Sequence, residues 1–343
     1  VEGVYTPMMT ADRFASSGAL VPYKQTKLTK MVTTLVSTNL EAKKVAADNK
    51  QIAYQTAVSS NNQLQIASAL AEKIEADAEY LGYLSSATSI ADELYPDTAQ
   101  LRYGQAGLRV LGTVGSVDIG ASYYYGHYKQ PSFDARKLPS YLEKRLSGEE
   151  ISESDKFLQY DQLQVFGLEA AKVIWKLNTR WEFAYNLTND FDGTNRAIHN
   201  NSIAWVGGFD IDLPIHNLNI NVQETGTYIL KNSEIEDNAD KQSQYDVDFN
   251  TDGTYSRNKL IVLLKDTFLN EKLSVEAQVV WGIENHELCI VPKIEYNVME
   301  GLTFAARGAW LYSRNENGEF YNFTENSVHH DKAFFELSAK YQF

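Results

Sequence analysis

Apolar and polar residues alternate along the chain from about residue 101 to its carboxyl end. In residues 175–187, one side of an extended strand carries Trp175, Leu177, Thr179, Trp181, Phe183, Tyr185 and Leu187. The other side carries Lys176, Asn178, Arg180, Glu182, Ala184 and Asn186. The last eleven residues repeat the pattern and end on the aromatic residues Tyr341 and Phe343. A strand with one apolar and one polar face separates two media.

The same period of two predicts about twelve strands. They cover residues 1–6, 105–110, 117–125, 160–170, 175–187, 203–211, 218–230, 260–266, 273–283, 288–296, 302–312 and 333–343. Most are nine to thirteen residues long, which suits a tilted crossing of a bilayer. Strands of globular proteins typically run about five or six residues.

The connections between these strands alternate in length. Residues 113–116, 171–173, 212–217, 267–272 and 298–300 are short turns, whereas 8–104, 127–158, 231–257 and 313–332 are long. Residues 188–200 are of medium length, and 285–287 are the one short connection on the long side. Short turns at one end and long loops at the other are typical of an outer-membrane β-barrel. The sequence therefore predicts an all-β transmembrane antiparallel barrel, against the alternative of a soluble all-β protein.

Aromatic residues concentrate on the apolar side of the predicted strands. The residues expected at the membrane interface are Trp175, Trp181, Trp205, Trp281, Trp310, Tyr123, Tyr125 and Tyr341. Interfacial girdles of a membrane barrel explain this placement better than a packed core does.

The polar side carries charges of both signs. The candidates for lining a lumen are Arg109, Lys176, Arg180, Glu182, Glu276, Lys293, Glu295, Arg307, Glu336 and Lys340. Rings of such charges would set the selectivity of a pore. The alternative, left open with equal weight, is that they are solvated interior residues that only pair with one another. The mixture predicts no preference for cations or anions.

Residues 39–95 break the strand pattern. They are rich in Ala, with almost no Gly and no Pro before Pro96, which favours helix. A break is expected at residues 59–62, where Asn61 or Asn62 would cap a second helix. The predicted organisation is a first strand at 1–8, a long extracellular loop at 9–103 with a helical insertion at about 39–95, and the remaining strands at 104–343. The insertion is expected to be a helical hairpin packed on its own protein; a plug over a pore and a docking surface are the alternatives.

Composition excludes several classes of function. No window approaches 18 consecutive apolar residues, which argues against a transmembrane helix. A mean hydropathy of -0.37 is compatible with a membrane barrel, because only alternate residues of each strand face lipid. The formal charge of -14 argues against nucleic acid as a partner. Cys289 is the only Cys, so no intrachain disulfide forms. The first residues, Val-Glu-Gly-Val, lack the features of a secretory signal, so the chain is expected to be mature or to lack an amino-terminal part.

No catalytic constellation stands out. The six His residues show no metal spacing on a regular element, although His329 and His330 beside Asp331 would form a weak metal site. There is no P-loop, no nucleophile elbow and no Gly-rich dinucleotide fingerprint. The sequence therefore predicts neither an enzyme nor a protein with a cofactor or bound metal.

Four stretches resemble a family of porin-like bacterial outer-membrane proteins that is largely catalogued as a domain of unknown function. They are residues 1–14 (VEGVYTPMMTADRF), 104–134 (GQAGLRVLGTVGSVDIGASYYYGHYKQPSFD), 270–312 (NEKLSVEAQVVWGIENHELCIVPKIEYNVMEGLTFAARGAWLY) and the terminal FFELSAKYQF. The resemblance is one of pattern over most of residues 101–343. In such proteins several strands precede a segment like residues 1–14, which implies a whole barrel of more than twelve strands.

The resemblance implies passage of solutes across the bacterial outer membrane, with Tyr341 and the terminal Phe343 forming part of the signal read by the insertion machinery. The functional prediction is a porin-like channel for passive passage of small solutes, or alternatively a barrel that anchors surface or envelope partners through its loops and helices. The expected partners are membrane lipid, a lipopolysaccharide-type surface, small solutes, the insertion machinery, and a second copy of the chain or other envelope proteins.

Overall fold

A computed structural model gives the architecture of the chain. The structure describes residues 1–12, 23–60, 62–93, 95–147, 149–237, 246–250, 252–316, 318–321 and 332–342. Phe343, Asn61 and the pair His329 and His330 lie outside these described residues.

Strands are the most abundant regular structure in the described chain. In chain order they are β1 Glu2–Thr6, β2 Gln105–Val114, β3 Val117–His127, β4 Ser132–Phe133, β5 Leu158–Gln159, β6 Gln162–Ile174, β7 Leu177–Leu187, β8 Ser202–Asp212, β9 Asn219–Ile229, β10 Ser256–Phe268, β11 Leu273–Gly282, β12 Glu287–Met299, β13 Leu302–Tyr312 and β14 Ala333–Tyr341. All but β4 and β5, which pair with each other, belong to one twelve-stranded sheet. The predicted all-β class and strand number are confirmed.

Each strand of the large sheet pairs with the strands that precede and follow it within that sheet. The order is β1-β2-β3-β6-β7-β8-β9-β10-β11-β12-β13-β14, and every described pairing is antiparallel. Successive connections therefore fall at opposite ends of the strands, which sorts the short turns to one end. Within the described residues, β1 and β14 each pair along one edge only. The sheet is thus an uninterrupted meander with two terminal edges.

The structure moves the boundary between two strands: residues 171–173, predicted as a short turn, lie within β6, which continues to Ile174. Trp175 and Lys176, predicted as the first residues of a strand, form the two-residue turn between β6 and β7. Trp175 has a φ of 58°, in the left-handed region that ends an extended strand. The alternation of Trp175 with Leu177 continues through the turn, so the period of two could not reveal it. Lys176 lies with its Nζ 5.5 Å from the centre of the Trp175 ring.

The first helix begins earlier than the sequence predicts, and two further helices lie in predicted loops. They are α1 Tyr23–Ser59, α2 Gln63–Glu93, α3 Leu138–Ser147 and the short α4 Asn232–Asp237. The Asn62 side-chain oxygen accepts a hydrogen bond from the backbone N–H of Leu64 at 3.1 Å, so Asn62 caps α2 as an Ncap residue does. Helical structure begins at Tyr23, well before residue 39, because polar residues such as Lys and Gln are also good helix formers.

The chain divides into two compact units. One contains residues 1–24, 98–132 and 160–343, and therefore the large sheet; the other contains residues 25–97 and 133–159. Residues 133–159, which the sequence analysis leaves as loop between strands, contain α3 and belong to the second unit.

In the second unit, α1 and α2 form an antiparallel hairpin. Lys43 Nζ lies 2.7 Å from a Glu79 carboxylate oxygen, and Lys50 Nζ lies 2.7 Å from Glu72. Ala47, which lies between these two levels on α1, is buried.

Candidate functional site: the charged face of the sheet

The registers separate the large sheet into two faces. The charged face contains Arg109, Glu169, Arg180, Glu182, Lys265, Glu276, Lys293, Glu295, Arg307, Glu336 and Lys340. The aromatic face contains Trp181, Trp205, Trp281 and Trp310 together with Tyr123, Tyr125 and Tyr341. Residues in register share a face because successive side chains of a strand point to opposite sides.

Large apolar side chains on the aromatic face are exposed. Leu168 is 61%, Phe335 70% and Leu337 73% exposed, and the indoles of Trp181, Trp281 and Trp310 are each close to half exposed. A core face in a globular protein would bury these groups against a second layer. An extended apolar surface of this kind marks contact with a partner or a membrane.

Two carboxylates, Glu224 and Asp266, lie on the aromatic face. Glu224 accepts hydrogen bonds from the Trp205 Nε1–H at 2.9 and 3.1 Å. Trp205 is in register with Gly226, and a Cβ on Gly226 would collide with the indole ring. The indole therefore lies over the bare backbone of Gly226, which lets it reach Glu224 and satisfy the carboxylate.

The first charged cluster crosses strands β2 to β7. Arg109 on β2 donates from Nε and Nη2 to the two carboxylate oxygens of Glu169 on β6, both at 2.7 Å. This is a bidentate, charge-assisted pair. Arg180 on β7 continues the cluster: it lies 3.4 Å from Glu169 and 2.9 Å from Glu182. The arginine thus separates two carboxylates that face each other directly in register.

The Arg109–Glu169 pair spans the intervening strand β3. Gly120 on β3 is in register with Glu169, and a Cβ at Gly120 would overlap the Glu169 side chain. Because Gly120 has no side chain, the Glu169 carboxylate can pass over β3 and reach the Arg109 guanidinium.

The second charged cluster is a row across β10 to β14. Lys265, Glu276, Lys293, Arg307 and Glu336 are successive register partners. Lys265 Nζ lies 3.3 Å from Glu276, and Lys293 Nζ lies 3.0 Å from Glu295 on its own strand. Arg109, Glu169, Lys293, Arg307 and Glu336 lie near the middle of their strands, whereas Lys265, Glu276 and Arg180 lie nearer an end.

Buried polar contacts organise the ends of the strands opposite the short turns. His199 Nδ1 lies 3.0 Å from Asp248 Oδ1, and the backbone N–H groups of His199 and Asn200 donate to Asp161 and Asp248, at 2.9 and 2.6 Å. The Tyr128 ring packs 4.6 Å from the His199 ring. Burial, and then the Asp248 carboxylate, raise the pKa of the Tyr128 phenol, so the phenol stays protonated.

The short β11–β12 connection is anchored to β10 by Glu284. Its carboxylate accepts from the Ser256 hydroxyl at 2.8 Å and from the Asn258 backbone N–H at 2.6 Å. Burial acts to raise the pKa of Glu284, but these donors outweigh it and hold the pKa below its usual value.

The candidate lumen residues fall into three groups. Arg109, Arg180 and Glu182 come together with Glu169, which the sequence analysis missed. Glu276, Lys293, Glu295, Arg307 and Glu336 come together with Lys265, which it also missed. Lys340 lies apart in register with Thr303, and Lys176 lies in a turn. Glu169 could have been found from the hairpin geometry, because it directly opposes Glu182 across the turn at residues 175–176.

Among the described residues, no group of three or more His, Cys, Asp or Glu side chains is placed to hold a metal ion. Cys289 is buried and unpaired by disulfide. Within the described ranges, no helix combines the length and apolar content that a membrane span requires.

The fold defines an all-β protein built on a single twelve-stranded antiparallel meander. No protein-family model matches the chain, and no curated protein matches it. Among solved structures, a KdgM porin is similar with a TM-score of 0.27 and 6% sequence identity, over 70% of this chain and 92% of that chain.

Proposed function

We propose that the chain forms a porin-like channel of the bacterial outer membrane, through which small solutes pass by passive permeation. The observation that carries this proposal is the chemistry of the two faces of one sheet. The aromatic face exposes Leu, Phe and Trp side chains that hydrocarbon would cover, and the charged face carries mid-strand charges that need water. Strands of nine to thirteen residues, apart from the short β1, match the thickness of a bilayer.

Closure of the sheet into a barrel is part of the proposal. An edge strand in lipid would leave its backbone N–H and C=O groups unpaired, at a cost of several kcal/mol for each group. The sheet contains twelve strands, an even number, so β1 and β14 run antiparallel and have the polarity that a direct seam requires. Additional strands that pair with β1 on one side and β14 on the other would close the barrel equally well. The charged face then lines the lumen.

Lipid and lipopolysaccharide would contact the aromatic face, with the indoles and phenols at its margins lying at the interfaces. The insertion machinery would read the end of β14, where Tyr341 lies on the aromatic face. Phe343, the other residue of this expected signal, lies beyond the described residues.

Conductance measurements test the proposal directly. The purified full chain, reconstituted into a planar bilayer in KCl, is expected to give discrete current steps, and liposomes carrying it are expected to swell in small neutral sugars. The folded form should migrate differently from the heated form on a denaturing gel, as closed barrels do. A protein that migrates as a folded barrel and passes neither ions nor sugars would overturn the channel and leave the barrel intact.

Anchoring of envelope partners is the second candidate function, and the helical hairpin favours it. Ile52 on α1 is 60% exposed, and Ile74 and Leu81 on α2 are 59% and 60% exposed. Exposed aliphatic residues on both helices offer a contact surface for another protein.

Deleting residues 25–97 separates the two functions. A channel blocked by its own insertion gains conductance on deletion, whereas an anchoring barrel loses co-purifying envelope proteins without gaining conductance. Unchanged conductance together with unchanged co-purification would overturn both roles for the hairpin.

A further inference from the structure

Charge is unevenly distributed across the charged face. Strands β1 to β8 contribute six carboxylates to this face, Glu2, Asp118, Glu169, Glu182, Asp210 and Asp212, against the two guanidinium groups of Arg109 and Arg180. Strands β10 to β14 contribute six cations, Arg257, Lys259, Lys265, Lys293, Arg307 and Lys340, against Glu276, Glu287, Glu295 and Glu336. One part of the face is therefore acidic and the other basic.

Two cations meet directly in the basic part. Lys293 and Arg307 are register partners on neighbouring strands, an arrangement of like charges that destabilises a sheet. Lys293 is compensated by Glu295 at 3.0 Å. Arg307 forms no ion pair within 4.0 Å with any residue that the structure describes, although Glu336 is in register beside it. Arg109 differs in this respect, because its Nε and Nη2 both donate to the Glu169 carboxylate.

The surroundings of Arg307 leave room for a ligand. Ala305 and Ala309 flank it on the charged face of β13, and Ser338 is the register partner of Ala305 on β14. Arg307 itself is exposed. The small side chains of Ala305 and Ser338 leave the planar guanidinium open to an incoming group on one side, whereas Phe334, the register partner of the buried Ala309, lies on the other.

We infer that Arg307, with Lys293 beside it, is a binding site for the carboxylate of a small organic anion that uses the proposed channel. A guanidinium presents its donors in a fork that matches both oxygens of a carboxylate, and the adjacent ammonium adds a second charge. The guanidinium of Arg307, which has no ion pair among the described residues and faces Lys293 at a cost to the sheet, is stabilised when the anion is bound. The site deepens the proposed function, since it gives the charged face a preferred class of solute.

Calorimetric titration of the folded full chain in detergent with citrate tests binding independently of transport. Citrate is expected to bind the wild type, and R307Q is expected to weaken binding at least about tenfold, as removal of a charge-assisted bidentate contact should. R307K keeps a positive charge but lacks the forked pair of donors, so its affinity for citrate is expected to lie between those of the wild type and R307Q. Glucose serves as the uncharged solute and should not bind at this site.

R257Q provides the matched control. Arg257 is also exposed on the charged face of the basic part, but it lies near the end of β10, away from the Lys293–Arg307 doublet. R257Q is expected to bind citrate as the wild type does. An equal loss in R257Q and R307Q would mean that the overall positive field attracts the anion, and would overturn a site at Arg307. Wild-type binding by R307Q, in protein shown folded by its heat-modifiable migration, would overturn it as well.

Block of the KCl current by citrate then links the site to transport. A half-blocking concentration that rises about tenfold in R307Q, and stays unchanged in R257Q, supports the inference. Citrate binding without any channel current would overturn the proposed function and keep the site. Current without citrate binding would overturn the site and keep the channel.

Discussion

Gly120 determines whether two strands that are not neighbours can share a salt bridge. Arg109 and Glu169 lie on β2 and β6, and their side chains meet across β3 only because Gly120 places nothing between them. The fixed direction of side chains on a strand makes such a gap a condition for the contact.

The G120A variant is therefore expected to lower the temperature at which the folded form is lost, because its methyl group displaces Glu169 from Arg109. R109Q should produce a comparable drop, and the double variant should fall little further, since both substitutions remove the same contact. Heat-modifiable migration across a temperature series measures all three. G112A is the control, because a Cβ at Gly112 meets nothing within 4 Å. Additive effects of G120A and R109Q would contradict the shared contact.

Gly226 has the corresponding role on the aromatic face. A methyl group in G226A would displace the Trp205 indole and break its hydrogen bonds to Glu224. The expected result is a changed Trp205 emission, obtained as the difference between each protein and its W205F counterpart. An unchanged difference spectrum in G226A would show that the indole does not rest on Gly226.

At the scale of elements, Glu284 makes the β11–β12 connection sensitive to pH. Its pKa in the folded protein lies below that in the unfolded chain, so its contribution to stability is complete above the unfolded pKa of about 4.3 and is lost as pH falls through the folded pKa. E284Q should therefore be less stable than the wild type at pH 7, and the difference should shrink below about pH 4. Urea unfolding of both proteins at the two pH values measures it. A difference that grows in acid would contradict the assignment.

The helical hairpin depends on a small residue at its seam. Ala47 is buried and Ala46, the next residue on α1, is exposed. A47L is expected to force the helices apart at a cost of about 1–3 kcal/mol, as overpacking typically does. A46L should change little. Thermal loss of helical circular dichroism compares the two variants, and equal effects would contradict the described seam.

The elements themselves were largely predictable from sequence, and the contacts between strands were only partly so. A period of two found all the long strands, since each has one face in an apolar medium and the other in a polar one. It failed at Trp175, where the alternation continues through a turn that a left-handed backbone angle produces. It also missed the salt bridge of Glu169 with Arg109, which passes over Gly120 and depends on register across three strands; the only local signal for Glu169 is its position opposite Glu182 in the hairpin.

At the scale of the whole molecule, the proposed orientation of the sheet has a direct optical test. In liposomes made with brominated lipid chains, the emission of Trp181, Trp281 and Trp310 is expected to be strongly quenched, because these indoles lie exposed on the aromatic face. Iodide in the aqueous phase should quench them weakly. Variants that keep one of these three Trp residues, with the others replaced by Phe, assign the signal.

A variant that keeps only Trp175 supplies the comparison, since this residue lies in a turn and is 79% exposed. Iodide is expected to quench the emission of Trp175 more strongly than that of Trp181, Trp281 or Trp310. Stronger iodide quenching of the strand residues would place the aromatic face in water and overturn the proposed membrane orientation.

The order of the strands has a consequence for how the protein is assembled. From β2 to β14 each strand of the meander joins the one made just before it, so this part of the sheet can grow hairpin by hairpin, with local pairings that form quickly. The exception is β1, which has five register pairs with β2 and is separated from it by both long helices. Its docking closes by far the largest loop in the meander. Assembly would therefore start toward the carboxyl end, with β1 among the last strands to find its place.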